Sequence, residues 1–508
     1  MSASQDLLDL AVAFLSRHGI DTYVVGGAVR DRFLSSSSRR ETCVGDIDLL
    51  VTSPIMDLVD QLAKESGAKT IVLDEERGFI RLLDPGNDLI WLDIAESNGD
   101  VEGDLARRDF TINAMAVHIA DWVSSSQGSL STDVVIDNHG GVRDIHQRVI
   151  RETVSGNLSA DPVRMFRAVR FATQFEFEID PATATVISNN RKRLENSSPE
   201  RVRDEFFNLM MTHRPEWGIR QLDHLGLLGI LLPELTKGRN FVQPGMHYYD
   251  VMEHGLHSLE VGARLMDGNR RSHDPILRHV PWCGEFDNYF RRIVGNGQSR
   301  GTILKMVAML HDIGKPGTMT QEPPSTKAPN GRTRFLGHGE YGAKMATDFL
   351  TRLRCSRQLI SHVSVMIEEH LRPFQMSSGW DTPTDRAIFR YFRDVSPVAL
   401  DTVMLSVCDY AATSGPLLNV VDFKRYSAML SDILARGLEP ESEPTAEDLL
   451  LNGHQVQQRF GLHPGPEIGR LLGALRTGES LGAVRTKSEA YELLARLIGR
   501  AASRRGRP

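Results

Sequence analysis

VGGAVRDRFLSSSSRRETCVGDIDLL (Val25–Leu50) joins a Gly-Gly pair to an Asp-Ile-Asp across a Ser-rich run. TYVVGG (22–27) reads as a short buried strand ending in a glycine turn, Val29–Leu34 as the start of a helix, and DIDLLV (46–51) as a second strand. Side chains alternate along a strand, so Asp46 and Asp48 share one face while Ile47 points to the core. Their Cα atoms should lie about 6.5–7 Å apart. Two carboxylates so close repel unless a cation lies between them. Hard oxygen ligands of this kind suit Mg2+, which also binds substrate phosphates. Gly26 and Gly27 lack Cβ atoms, so the backbone there can approach a triphosphate, and Arg30 follows one helical turn on. Ser35–Thr42 reads as a surface loop, with Arg39 and Arg40 facing solvent. An acidic pair is more often a solvated surface feature than a catalytic one. A third carboxylate on a neighbouring strand would sharpen the reading, and Asp93 in LIWLDIA is the candidate.

Working outward, TIVLD (70–74), FIRLLD (79–84) and LIWLDIA (89–95) are further strands, and residues 6–18 form an amphipathic helix stopped at Gly19. A mixed-sheet region therefore ends near residue 150. Helical spacing dominates after it, becoming histidine-rich from about 245 to 415. The loop 321–334 and the Pro/Glu-rich stretch 438–448 read as an exposed loop and a linker, and the basic tail after Leu497 frays. At roughly 100–200 residues per domain, the 508 residues imply about three or four domains. The net charge of −7 does not advertise a nucleic-acid binder, although it can hide local basic patches. Cys43, Cys283, Cys355 and Cys408 form no CxxC pair, which argues against a zinc ribbon or disulfide framework and favours a reducing cytoplasm. No apolar run approaches the ~20 residues of a membrane span, and the N-terminus lacks the basic region of a signal peptide.

Two later stretches carry arginine. LARRDFTINAMAV (105–117) passes from charged surface to core. In ADPVRMFRAVRF (160–171), Arg164, Arg167 and Arg170 recur every three residues, and Asp161 precedes Arg164 by three. Met165, Phe166, Val169 and Phe171 make this stripe half buried, which is costly without an anionic partner. GGAVRD, the DxD, RRDFTINAMA and DPVRMFRAVRF, in that order, resemble the bacterial-type tRNA nucleotidyltransferase (CCA-adding enzyme) and poly(A) polymerase family, over most of the chain.

The resemblance implies an α+β fold. A polymerase-beta-like nucleotidyltransferase head (1–150) would precede a helical neck (151–240), an HD domain (245–420) and a C-terminal helical, RNA-facing segment (430–508). It implies untemplated addition of C and A to the tRNA 3′ end from CTP and ATP with Mg2+, with pyrophosphate released. Asp46 and Asp48 resemble the metal ligands and, with Asp93, the catalytic carboxylates. Gly26, Gly27 and Arg30 resemble triphosphate contacts, Arg108, Arg167 and Arg170 nucleotide contacts, and Asp161 and Arg164 the base readers. That last role has a physical basis. Aspartate only accepts hydrogen bonds and arginine only donates. Cytosine and adenine offer an amino donor beside a ring-nitrogen acceptor, whereas uracil and guanine offer the reverse. A mismatch leaves polar groups unpaired at a cost of about 1–3 kcal/mol each. PERVRDEFFNLM (199–210) resembles the next helical motif, with Glu200, Arg201 and Arg203 in salt bridges.

His254, the His311–Asp312 pair and Asp409 resemble the metal ligands of an HD phosphohydrolase, with His338 and His370 as second-metal ligands. A divalent ion such as Ni2+ or Mn2+ would suit them. An HD fold kept for structure alone is the alternative. The segment between His254 and His311 looks like an insertion without an evident chemical role. Two departures from the family pattern bear on specificity. Ala160 stands where many relatives have Glu before the base-reading Asp, and only 14 residues separate Asp93 from Arg108. The second departure is shared with relatives that stop after two cytidines, so CC-only or A-only addition is the alternative, with an HD phosphohydrolase as the rival class.

Overall fold

The computed structural model describes the chain except residues 1–2, 38–45, 77, 85, 98, 126–129, 246, 325–330, 377–382, 439–449, 464, 481–483 and 506–508. Arg39, Arg40, Cys43, nearly all of the 438–448 linker and the centre of the 321–334 loop lie outside the described residues, as does the side chain of Asp46. The described chain divides into two compact units, Met1–Thr236 with Arg352–Arg354, and Lys237–Thr351 with Cys355–Pro508.

The first unit begins with helix α1 (Ala3–Arg17) and is built on seven strands: β1 (Thr22–Val25), β2 (Asp46–Val51), β3 (Lys69–Asp74), β4 (Phe79–Asp84), β5 (Asn87–Glu96), β6 (Ala116–His118) and β7 (Val135–Ile136). Their spatial order is β3-β4-β5-β2-β1-β6-β7. The sheet is mixed, since β2 and β5 run parallel while the other neighbours are antiparallel. The alternation read from DIDLLV holds, with Ile47, Leu49, Leu92 and Ile94 buried on one face. Leu8, Ala11, Phe14 and Leu15 of α1 are buried, and α1 packs on β1, β4 and β5. Burying one such large side chain stabilises by about 1.5–3 kcal/mol.

Helix α2 (Gly27–Ser37) extends further than the sequence suggests. Ser35, Ser36 and Ser37 continue it instead of opening the loop, because each residue added to an existing helix gains a backbone bond at little extra ordering cost. Helices α3 (Val59–Ser66) and α4 (Val101–Arg107) complete the elements that bear on the site. The neck is helical, with Val163–Phe175, Pro199–Met211 and Pro215–His224 as its main helices. The two-residue strands Val149–Ile150 and Glu178–Ile179 pair beside them.

One buried ion network ties neck to head. Arg167 donates from Nε to Asp109 (2.8 Å) and from Nη1 to Glu205 (3.1 Å), and Arg170 donates to the other Glu205 oxygen (2.8 Å). Asp109 also accepts from Asn113 Nδ2 and from the Phe110 N–H. Burial opposes ionisation of Asp109, but Arg167 and these hydrogen bonds outweigh it and hold its pKa below the usual carboxylate range. Phe171, buried against Phe110, carries the Arg170 guanidinium 3.6 Å above its ring.

In the second unit the helices Val251–Met266, Arg300–Leu310 and Ala399–Thr413 pack together as the HD core. Of the stretch 258–310, which looked like an insertion, both ends belong to the core helices and only 267–299 stands apart, forming short helices and a small hairpin (293–299). Fully buried Asp401 anchors it, accepting from Tyr289 Oη and Arg300 Nη1, both at 2.5 Å. Leu451, Val456, Leu471, Leu475, Val484, Ala490 and Leu494 form a separate small C-terminal core. Among the described residues no single helix is long and apolar enough to cross a membrane.

Removing a single partner from a buried ion cluster typically costs about 3–5 kcal/mol, because the remaining charges are stranded. Glu205→Ala is therefore expected to destabilise the first unit by that order in urea unfolding, and Glu205→Gln by less.

Candidate active site

Strand pairing assembles the acidic centre. Asp48 lies directly opposite Asp93 in the parallel β2–β5 pair, and Asp46 opposite Trp91. The carboxylate expected on a neighbouring strand is thus Asp93. It does not stand alone. Arg81 on β4, in register with Asp93, grips both of its oxygens at 2.7 Å and lies over the Trp91 ring. Asp93 is 9% exposed, while Asp48 is half-buried on the same side of the sheet.

The Gly26–Gly27 turn leaves β1 where Val25 pairs with Asp48, so it sits beside the acidic strand. Gly26 adopts φ +72°, and a Cβ there would overlap the Arg108 guanidinium. At Gly27 a Cβ would lie 3.4 Å from Arg30 Nη2. Gly26 therefore makes room for the Arg108 guanidinium, while a side chain at Gly27 would only touch Arg30. Arg108 also donates to Asp104 (3.1 Å). Arg30 is largely buried. It donates to Asn113 Oδ1 (2.6 Å) and Asp31 (2.7 Å) and packs on Phe175. Since Asn113 in turn donates to Asp109, the turn and the neck network are one connected system.

Asp161 and Arg164 meet at the start of the neck helix, 3.5 Å apart. Asp161 is held more tightly by Arg201 on the facing helix, with bonds of 3.0 and 2.7 Å to its two oxygens. Burial raises the Asp161 pKa, but the Arg201 bond and the charges of Arg201 and Arg164 outweigh that and leave it lowered. The structure thus brings Asp48 and Asp93 together, Gly26, Gly27, Arg30 and Arg108 together, and Asp161 and Arg164 together. Arg167 and Arg170, read from sequence as nucleotide contacts, spend their guanidinium groups on Asp109 and Glu205. Asp109, Asn113, Glu205 and Arg81 were missed. Asp109 and Asn113 lie inside RRDFTINA and share a helical i,i+4 spacing, which was the available signal.

In the second unit the six expected HD residues converge. His254 Nε2 lies 3.2 Å from His311 Nε2 and 3.1 Å from Asp409. Asp312 divides its carboxylate, with Oδ2 3.4 Å from His311 and Oδ1 3.4 and 3.7 Å from His338 and His370. The Nδ1 atoms of His311, His338 and His370 each face a backbone carbonyl, at 2.9, 2.7 and 2.6 Å. That arrangement suits Nδ1 as the donor and turns Nε2 inward toward the carboxylates, the usual second-shell arrangement of metal-binding histidines. Burial depresses His311, but the Asp312 and Asp409 charges outweigh it and raise its pKa to about 10, while burial beside His311 lowers His370 to about 3. Buried Asp312 Oδ1 has no hydrogen-bond donor among the described residues. Two overlapping groups, His254–His311–Asp409 and His311–Asp312–His370, have the spacing and donor set for a divalent ion. Lys315, Gln243 and His247 were missed. Lys315 Nζ contacts Asp312 Oδ2 (2.5 Å), Gln243 Oε1 (2.6 Å) and His247 Nε2 (3.3 Å).

Three family models match the chain: the poly A polymerase head domain over residues 22–151, the "probable RNA and SrmB-binding site of polymerase A" over 176–238, and the HD domain over 257–413. The A-adding tRNA nucleotidyltransferase of Deinococcus radiodurans is 31% identical over 482 residues, covering 93% of this chain and 94% of that protein. The CC-adding tRNA nucleotidyltransferase of Thermus thermophilus is 29% identical, covering 93% of each. Among solved structures, a CCA-adding enzyme with ATP superposes with a TM-score of 0.58 at 21% identity, over 96% of this chain and 94% of that one. The Thermotoga maritima CCA-adding enzyme complexed with tRNA gives 0.55 at 20% identity, over 98% and 99%. These structures share the fold. The chain belongs to the tRNA nucleotidyltransferase and poly(A) polymerase family, and it is an enzyme of the nucleotidyltransferase type.

Proposed function

We propose that this enzyme adds C and A to the 3′ end of tRNA, from CTP and ATP with Mg2+, releasing pyrophosphate. The observation that carries the reading is the meeting of the acidic strand pair with the Gly26–Gly27 turn on one side of the head sheet. Asp46 and Asp48 would hold Mg2+, with Asp93 beside them. When bound, the ion supplies activation of the RNA 3′-hydroxyl and neutralisation of the triphosphate. The residues of the chain then orient the reactants. The turn presents the N-terminal N–H groups of α2 to phosphate, with Arg108 covering it. Arg30 shapes the turn through Asn113, and Arg167 and Arg170 fix the helix whose Asp161 and Arg164 face the incoming base. Catalysis on this reading is positioning and charge neutralisation. The ATP and tRNA complexes of fold-sharing CCA-adding enzymes support these partners, and residues 430–508 would face the RNA body. A tRNA substrate fits the cytoplasmic location expected from the sequence.

Partial addition is the second reading. β5 ends at Glu96 and α4 begins at Val101, so the connection before Arg108 is short, and three relatives that each cover at least 93% of the chain are named A-adding or CC-adding. Sequencing the products from tRNAs ending before the first C, the second C and the final A distinguishes the outcomes. Full addition extends all three to CCA, while a stop after two cytidines or addition of A alone selects the partial reading.

Asp48→Ala is expected to lower labelled-CTP incorporation into tRNA lacking its 3′ end by at least a thousandfold, with the unfolding midpoint kept. Incorporation at the wild-type rate would refute the assignment. For the second unit, the inward Nε2 atoms around Asp312 support a metal-dependent phosphohydrolase, with His254, His311, Asp312 and Asp409 as ligands and His338 and His370 completing a second position. Phosphate-ester hydrolysis of 2′,3′-cyclic nucleotides with Ni2+ or Mn2+ is expected in wild type and absent in Asp312→Ala, while CTP incorporation persists. Equal hydrolysis by both proteins would remove the HD site as its source.

A further inference from the structure

Asp161 is oriented from outside its own helix. It closes the short helix Asn157–Ala160 in extended conformation, just before Pro162, and the preceding residue, exposed Ala160, has no polar side chain to brace it. Arg164, the other base reader, approaches Asp161 at 3.5 Å through Nε. Arg201, in the first turn of the helix Pro199–Met211, places Nη1 and Nη2 on the two oxygens in a fork-on-fork pair. That planar arrangement fixes both the position and the rotation of the carboxylate, which a single contact cannot do. A carboxylate has about four acceptor sites, so after Arg201 and the Val163 N–H have bound, acceptor capacity remains for a base amino group. The Arg201 side chain is 54% exposed, so its removal opens no cavity in a core.

We propose that Arg201 is a positioning residue for nucleotide selection, holding Asp161 so that its free lone pairs face the amino edge of cytosine or adenine. This rests on the reading of Asp161 as a base reader. A freely rotating Asp161 accepts from the amino group in some rotamers only, and it also turns away from the carbonyl oxygen that uracil presents in its place, which relieves the acceptor–acceptor repulsion. Discrimination falls from both sides, while the triphosphate contacts at Gly26–Gly27 and Arg108 stay as they are. Lysine at position 201 restores charge but not the fork, so it should recover selection only in part.

The test compares kcat/KM for CTP and UTP in wild type, Arg201→Ala, Arg201→Lys and Asp161→Ala, on full-length protein with tRNA lacking its 3′ end. Arg201→Ala is expected to cut the CTP/UTP ratio at least tenfold, with pyrophosphate inhibition unchanged and the thermal midpoint near wild type. Arg201→Lys should fall between. If Asp161→Ala loses selection and Arg201→Ala keeps it, the positioning role is overturned while the base-reader assignment stands. If neither variant loses selection, the base-reader assignment falls, and the role of Arg201 with it. An equal loss for Arg201→Lys and Arg201→Ala together with a lowered thermal midpoint would mark Arg201 as structural and also overturns the proposal.

Discussion

The ion network of Asp109, Arg167, Glu205 and Arg170 is the constraint on which the first unit depends. Four charges are removed from water where a helical neck meets a sheet, and each oxygen that matters has a donor. Such a cluster is an uneconomical source of stability, since apolar side chains of similar volume often do as well. Its value lies in geometry. Guanidinium groups donate to carboxylates in few orientations, so the helix Val163–Phe175 has one angle and one register against the head. Asn113 passes the same constraint to Arg30 and so to the glycine turn beside the acidic strand. Base reading and phosphate binding are thus set by one connected scaffold, although the residues assigned to them lie more than a hundred positions apart.

Much of this was legible in the sequence, for identifiable reasons. Asp46, Ile47, Asp48 and Leu49 alternate, so the strand and the shared face of its two carboxylates follow from period two, although Leu50 on that face is buried. Asp93 was found because a third carboxylate has to come from an adjacent strand, and LIWLDIA offered one. The HD residues were found because the ordered histidine and aspartate motifs from His254 to Asp409 resemble those of the HD domain. Pairing partners were not legible. Whether Arg167 meets a nucleotide or Glu205 depends on where a helix some forty residues later comes to lie, and no local pattern records that. Arg81 looks like an ordinary strand residue until β4 and β5 are placed in register, when it becomes the counter-charge of Asp93. The glycine turn was recognised, but its crowding by Arg108 and Arg30 was not, since local sequence says nothing about what fills a missing Cβ.

The two units carry different chemistry by the same means. In the head, a strand aligns carboxylates for a hard cation. In the HD core, buried helices bring histidines to a divided aspartate, with backbone carbonyls fixing their tautomers. Both arrangements gather like or competing charges that a divalent ion would relieve, and both keep a resident cation close by, Arg81 at Asp93 and Lys315 at Asp312. A resident cation lowers the cost of ionised carboxylates before a metal arrives.

The central claim is that side chains alone, without a nucleic-acid template, select the base. Its most direct test supplies all four ribonucleoside triphosphates at equal concentration to the enzyme with a tRNA lacking its 3′ end, and reads the added nucleotides by sequencing. The account predicts that nearly every added residue is C or A. Incorporation of U or G at a frequency comparable to C would contradict it.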